Sequence, residues 1–191
     1  MDPDALLQLI QSRRAVFPRE YTGDAISQDT LDRLFTLANW APSHRRTEPW
    51  RFIVVRDEAR DRLGIYMANR YKQTAGDEAF SLAKYNKTRQ KPTQASVVIA
   101  VVMQRDPQER VPHWEEVAAT AMAVQNLWLG VTALGLAGYW STPKTMVEDR
   151  AFLGLRPGEE CLGLFYLGTA EPATRNSSRG PAENKVRYLD A

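Results

Sequence analysis

Apolar residues recur at Leu6, Leu7 and Ile10, and again at Leu31, Leu34, Phe35 and Ala38. Each set shares one face of an α-helix. The chain is therefore expected to open with an amphipathic helix ending near Arg13 and Arg14. A second helix follows over about 28–40, with Ser27 as its N-cap. The pattern then changes. Trp50 to Val55 is a short β-rich run, and Ser96 to Met103 carries Val97-Val98-Ile99-Ala100-Val101-Val102 with no alternation, as a strand covered on both faces would. Residues 58–73 and 77–89 read as further helices. Around the latter run Lys84, Lys87, Arg89 and Lys91, a charge series that on its own describes a solvated face. Residues 114–135 are apolar nearly all round, leaving little polar surface. Such a helix must be buried, either at the centre of the core or against a second subunit. Thr142-Pro143 reads as an N-cap followed by proline at the first helical position, and a strand over about 161–168 closes the core.

Between the second helix and the first strand lies Ala41-Pro42-Ser43-His44-Arg45-Arg46-Thr47-Glu48-Pro49-Trp50. Pro42 stops the helix and Pro49 sets the strand entry, where a missing N–H is tolerated. A stiff polar loop between packed elements suits an anionic ligand with a polar edge. A plain connection with solvated charges fits the same residues. Arg13 and Arg14 are likewise open to two readings: guanidinium forks for a phosphate, or cations favouring a helix C-terminus.

Composition narrows the classes. At 191 residues, 43% hydrophobic and 25% charged, the chain is expected to form one globular domain. Twenty-five basic against 23 acidic side chains give a net charge of +2, too balanced for nucleic acid as the main partner. No apolar run approaches the ~20 residues of a membrane span. Asp2 and Asp4 argue against a secretory leader. With one cysteine, Cys161, there is no internal disulfide, and a reducing cytoplasm is the expected compartment. Cys161 itself reads as a small buried hydrophobe. Two histidines, His44 and His113, and that cysteine cannot build a zinc cluster, and no Gly-x-Gly-x-x-Gly signals a dinucleotide domain.

Five segments together carry a resemblance. Ala-Pro-x-His running into Thr-Glu-Pro-Trp-Arg-Phe resembles the flavin loop of the nitroreductase family, in its small single-domain branch. Arg13-Arg14-Ala15 resembles the family's N-terminal Arg-Arg-Ser, with Ala15 in place of the serine. Gln125-Asn126-Leu127 is similar to its long central helix, and Trp140-Ser141-Thr142-Pro143 to its second flavin loop. Leu167-Gly168-Thr169 resembles the end of its last core strand. The matches run in family order from about residue 8 to residue 181.

The resemblance implies an α+β fold: a three-layer α-β-α sandwich with a central, mainly antiparallel sheet and a long buried helix at a homodimer interface. Residues 171–191 would embrace the partner subunit. It implies bound FMN, NAD(P)H as donor, and a small electron-poor acceptor such as a nitroaromatic or a quinone, used in ping-pong fashion. No side chain need act as catalytic acid or nucleophile, because the flavin carries the chemistry. By resemblance Arg13, Arg14 and Ala15 hold the phosphate, joined by Arg179 from the tail, with Arg175, Lys185 and Arg187 as rivals. His44 and Glu48 line the flavin, Arg46 offsets the charge of Glu48, and Trp140, Ser141 and Thr142 lie beside the ring. The alternative is a flavin-storing or flavin-sensing protein of the same fold without turnover.

Overall fold

The computed structural model describes residues 2–171 and 178–189. Strands β1 (Trp50–Val55), β2 (Val97–Gln104), β3 (Ala137–Ser141) and β4 (Glu159–Gly168) form one antiparallel sheet in the order β1-β2-β4-β3. The unbroken apolar run places β2 at the centre, and Val97 to Met103 are all buried. Val101 faces Gly163 while Val102 faces Cys161, so Leu162 is the extra residue of a bulge in β4. Gly163 adopts a φ of +132°, and a Cβ there would lie 2.5 Å from the Ser141 carbonyl. Only glycine lets the end of β3 sit so close to the bulge.

One face of the sheet carries α2 (Gln28–Asn39) and α5 (His113–Ala133). Leu31, Leu34, Ala123, Leu127 and Val131 pack there on Ile99, Val101, Phe165 and Leu167. The other carries α3 (Glu58–Ala79) and α6 (Lys144–Val147), through Leu63, Met67 and Met146 against Val98, Ala100, Val102 and Tyr166. Helix α4 (Leu82–Gln90) crosses α3 so closely that a Cβ on Gly64 would meet the Arg89 carbonyl at 2.1 Å. Helix α1 (Pro3–Ser12) touches α5 but buries no residue, leaving Leu6, Leu7 and Ile10 exposed. This is the expected three-layer α+β sandwich.

Ser27 caps α2 as expected, its hydroxyl accepting from the Thr30 N–H at 3.1 Å. Two expectations need correcting. Pro143, not Thr142, occupies the N-cap of α6, its extended backbone serving there as well as at the first helical position. Trp140 and Ser141 belong to β3, not to a loop. Within one chain helix α5 is not wholly at the centre of the core: Ala119, Ala123, Val124 and Leu127 are covered, whereas Trp114 and Met122 remain exposed, as the alternative of burial against a second subunit would have it.

Candidate functional site

Helix α1 ends where Arg13 turns to extended backbone, its N–H still held by the Leu9 carbonyl at 3.3 Å. The Val16 N–H then bonds the Gly138 carbonyl at 3.1 Å, seating residues 13–16 beside β3. The Arg13 guanidinium lies 4.5 Å over the Trp128 ring, and that ring stands edge-on to Phe165 at 5.3 Å. Arg14 donates to the carbonyls of Gln11 and Arg13. Arg179 arrives from the tail close enough to repel Arg13. Burial, then Arg179 and Arg14, push the Arg13 pKa down from its usual value.

These groups frame a cavity of about 890 Å³, walled by Arg13, Arg14, Ala15, Trp140 and Arg179 with Ile10, Gln11, Ala121, Val124, Gln125 and Trp128. No carboxylate is among these lining residues. The indole N–H groups of Trp128 and Trp140 are buried and have no acceptor among the described residues. Neither nitrogen opens into the cavity: Trp128 Nε1 packs against Gly138 and Trp140 Nε1 against Gly163. The cavity thus offers three cations for a dianion and a wall of aliphatic and indole surface. That lining fits a phosphorylated, partly apolar molecule, and FMN has that composition.

Five of the ten sequence candidates meet here: Arg13, Arg14, Ala15, Trp140 and Arg179. The others do not. His44 tethers its loop to the start of α5 through Nδ1, 2.7 Å from Glu115 Oε2. Glu115 lies ten residues before Gln125, about 15 Å along the helix. Arg45, Arg46 and Glu48 all hold positive φ, at 53°, 53° and 42°. L-residues pay roughly 1–2 kcal/mol each for that geometry, and such strain gathers at ligand-binding segments. The Ser43 hydroxyl steadies the turn by accepting the Glu48 N–H at 3.2 Å. Glu48 lines a separate groove of about 620 Å³ with Trp40, Trp50 and Arg51. Arg46 was expected to offset it, yet among the described residues they form no ion pair. Arg51 sits in the groove instead, donating to the Glu48 carbonyl at 2.8 Å.

Ser141 and Thr142 also fall outside the Arg13 cavity. The Ser141 hydroxyl accepts from Lys91 Nζ at 3.1 Å. That ammonium lies 4.7 Å from the ring centres of both Tyr139 and Tyr166. Burial, reinforced by Lys87, pulls the Lys91 pKa down to about 8. Of the tail rivals, Arg175 lies outside the described residues; Lys185 donates to the Gly180 carbonyl at 2.8 Å. Cys161 is buried and its thiol pKa is raised by burial, as an inert hydrophobe's would be. The described residues hold no cluster of metal-ligating side chains, and none of their helices is long and apolar enough to cross a membrane.

Sequence reasoning missed Trp128. Positions 121, 124, 125 and 128 stand at i, i+3, i+4 and i+7 on α5, a spacing that marks one face. That signal was hidden inside a helix read as apolar all round.

A four-stranded antiparallel sheet between helical layers, with a guanidinium-lined cavity at the end of its first helix, defines a class of α+β proteins with a built anion site. Within that class the chain belongs to the nitroreductase family, whose model matches residues 10–169. YdjA of Escherichia coli (strain K12), provisionally named an NAD(P)H nitroreductase, is 28% identical over 93% of this chain and 94% of its own. The 5,6-dimethylbenzimidazole synthase of Rhodospirillum rubrum is 31% identical over 72% of this chain and 68% of its own. A nitroreductase-like protein from Bacillus cereus superposes with a TM-score of 0.80 at 25% identity, covering 97% of this chain and 96% of that one. The FMN-dependent nitroreductase NfnB from Mycobacterium smegmatis, solved with NADPH, gives 0.79 at 21% identity, covering 98% and 99%.

Proposed function

We propose that the chain is a single nitroreductase-like domain acting as a homodimeric, FMN-dependent oxidoreductase. It takes hydride from NAD(P)H and passes electrons to small electron-poor molecules, nitroaromatics and quinones among them, in alternating half-reactions. The observation that carries this reading is the cavity walled by Arg13, Arg14 and Arg179 with the rings of Trp128 and Trp140. Bound flavin would supply the hydride chemistry, and the protein positions and tunes it.

The chain's own residues divide the work. Arg13, Arg14 and Arg179 hold the phosphate dianion through charge-assisted hydrogen bonds. Trp140 and Trp128 supply apolar ring surface to the molecule, and Ser141 and Thr142 lie at the far edge of the flavin ring. His44, Arg46 and Glu48 are not among the residues lining this cavity in one chain, so in this reading they serve the partner's flavin. The exposed Trp114–Met122 face of α5 forms the dimer contact, and residues 171–191 wrap the second subunit. The relative named as a synthase warns that the family fold alone does not fix the acceptor.

The test is the visible spectrum of purified protein before and after anaerobic NADH or NADPH. Flavin bands that bleach with either donor are expected. Bands that resist both donors would move the protein to the storage reading, and none after added FMN would remove the cofactor.

A further inference from the structure

Lys84, Lys87, Thr88 and Lys91 stand at i, i+3, i+4 and i+7, on one side of α4 and its C-cap. That side does not simply face solvent. All four line a cavity of about 780 Å³, whose opposite wall brings Arg70 from α3 and Lys144 from α6. Five cations thus surround one space. Glu148, the one carboxylate among its lining residues, is 3.7 Å from Lys144, and Arg70 is held from behind by buried Asp149 at 3.2 Å. Lys84, Lys87 and Lys91 make no ion pair with any described carboxylate. Like charges at these helical spacings repel. Burial and, after it, the neighbouring charge of Lys87 lower the Lys91 pKa.

The cavity also abuts the end of β3 and the start of α6, the segment the proposed function sets beside the flavin. Pro143 and Lys144 line it, and Lys91 reaches from it to the Ser141 hydroxyl at 3.1 Å. Its volume falls within the ordinary range for small-molecule sites. Lys84 rests over the Tyr71 ring at 4.5 Å and Lys91 is held by Ser141, but none of the three ammonium groups has an ion pair with a described carboxylate, and together they exceed what Glu148 neutralises. Ammonium groups bind phosphate oxygens as point charges, whereas planar carboxylates are matched by arginine forks. The single arginine here is already engaged by Asp149.

We propose that the cavity between α3, α4 and α6 binds the phosphates of the nicotinamide nucleotide donor, so that NADPH, with its additional 2′-phosphate, is used in preference to NADH. This rests on the flavin oxidoreductase reading for its purpose, but the phosphate site has its own readout. The probe is 2′,5′-ADP, which carries both phosphates and cannot reduce a flavin. Calorimetric titration of the FMN-loaded protein should show binding that weakens about tenfold or more in Lys84→Ala/Lys87→Ala, since charged hydrogen bonds are the ones lost. Both side chains are exposed, so flavin content and spectrum should not change. The same variant should lose its preference for NADPH in the rate of flavin bleaching at subsaturating donor. Arg33→Ala/Arg62→Ala removes two exposed charges elsewhere and should leave the titration unaltered. An equal loss in that control, equal affinity in the lysine variant, or no binding of 2′,5′-ADP at millimolar concentration overturns the proposal. If the flavin bleaches with both donors while 2′,5′-ADP is ignored, the redox reading stands and the phosphate site falls. Tight, lysine-dependent binding of 2′,5′-ADP by a protein whose flavin resists both donors has the opposite meaning.

Discussion

Lys91 shows how much one side chain's setting decides. Its ammonium lies between two tyrosine faces and donates to Ser141, yet burial holds its pKa at about 8 against an ordinary 10.5. The unfolded chain therefore keeps this proton across a window in which the folded chain has released it. Stability must rise with pH through that window. Tyr21 and Tyr166 act in the other sense: burial raises both pKa values above the usual 10.0, so the fold retains protons that the unfolded chain gives up, and stability falls above about pH 10. Urea midpoints from pH 7.5 to 11 should pass through an alkaline maximum. Lys91→Met should abolish the rising limb and keep the falling one; a rising limb that survives would assign it to other groups. None of this was legible in the sequence. Lys84, Lys87 and Lys91 have the spacing of any solvated helix face, and only the packing of α4 over α3 turns that face toward a cavity.

The elements that sequence disclosed best are those whose burial is complete. Strand β2 is apolar on both faces because it is covered on both, and its ends fall within a residue or two of the apolar run. Strand β3 escaped notice because it has five residues, contains Gly138 and lies at the sheet edge. Gly138 is there for space: a Cβ would lie 2.6 Å from the Phe165 ring. The contact between α2 and α5 hangs on a second such position. A Cβ on Gly130 would sit 2.5 Å from Leu37 Cδ1 and 3.0 Å from Leu34 Cδ2. Gly130→Ala would gain up to about 1 kcal/mol in helix propensity and lose roughly 1–3 kcal/mol by overpacking. Leu37 is part-exposed and can swing, but Leu34 is fully buried. A net loss near 1 kcal/mol is expected by urea denaturation, and a net gain would show that α2 yields freely.

Across the whole molecule, the candidate site was legible as a set of residues but not as a place. Arg13, Arg14, Trp140 and Arg179 line one cavity, while His44 is tied to the start of α5 and Glu48 lines a groove with residues of α2 and β1. Nothing in local sequence encodes that separation, because it follows from how far α5 extends between the two loops. Its consequence is genetic as much as structural. In the proposed dimer, with each flavin held by both subunits, a chain with Arg13→Ala and Arg14→Ala and a chain with a disabled 44–48 loop would each form an inactive homodimer. Mixed in one dimer, they would place both lesions in one site and leave the other site wholly native. Since random assembly makes about half of the dimers mixed, co-expression of the two should restore about a quarter of the native flavin content, whereas two defects within one shared pocket would never rescue each other.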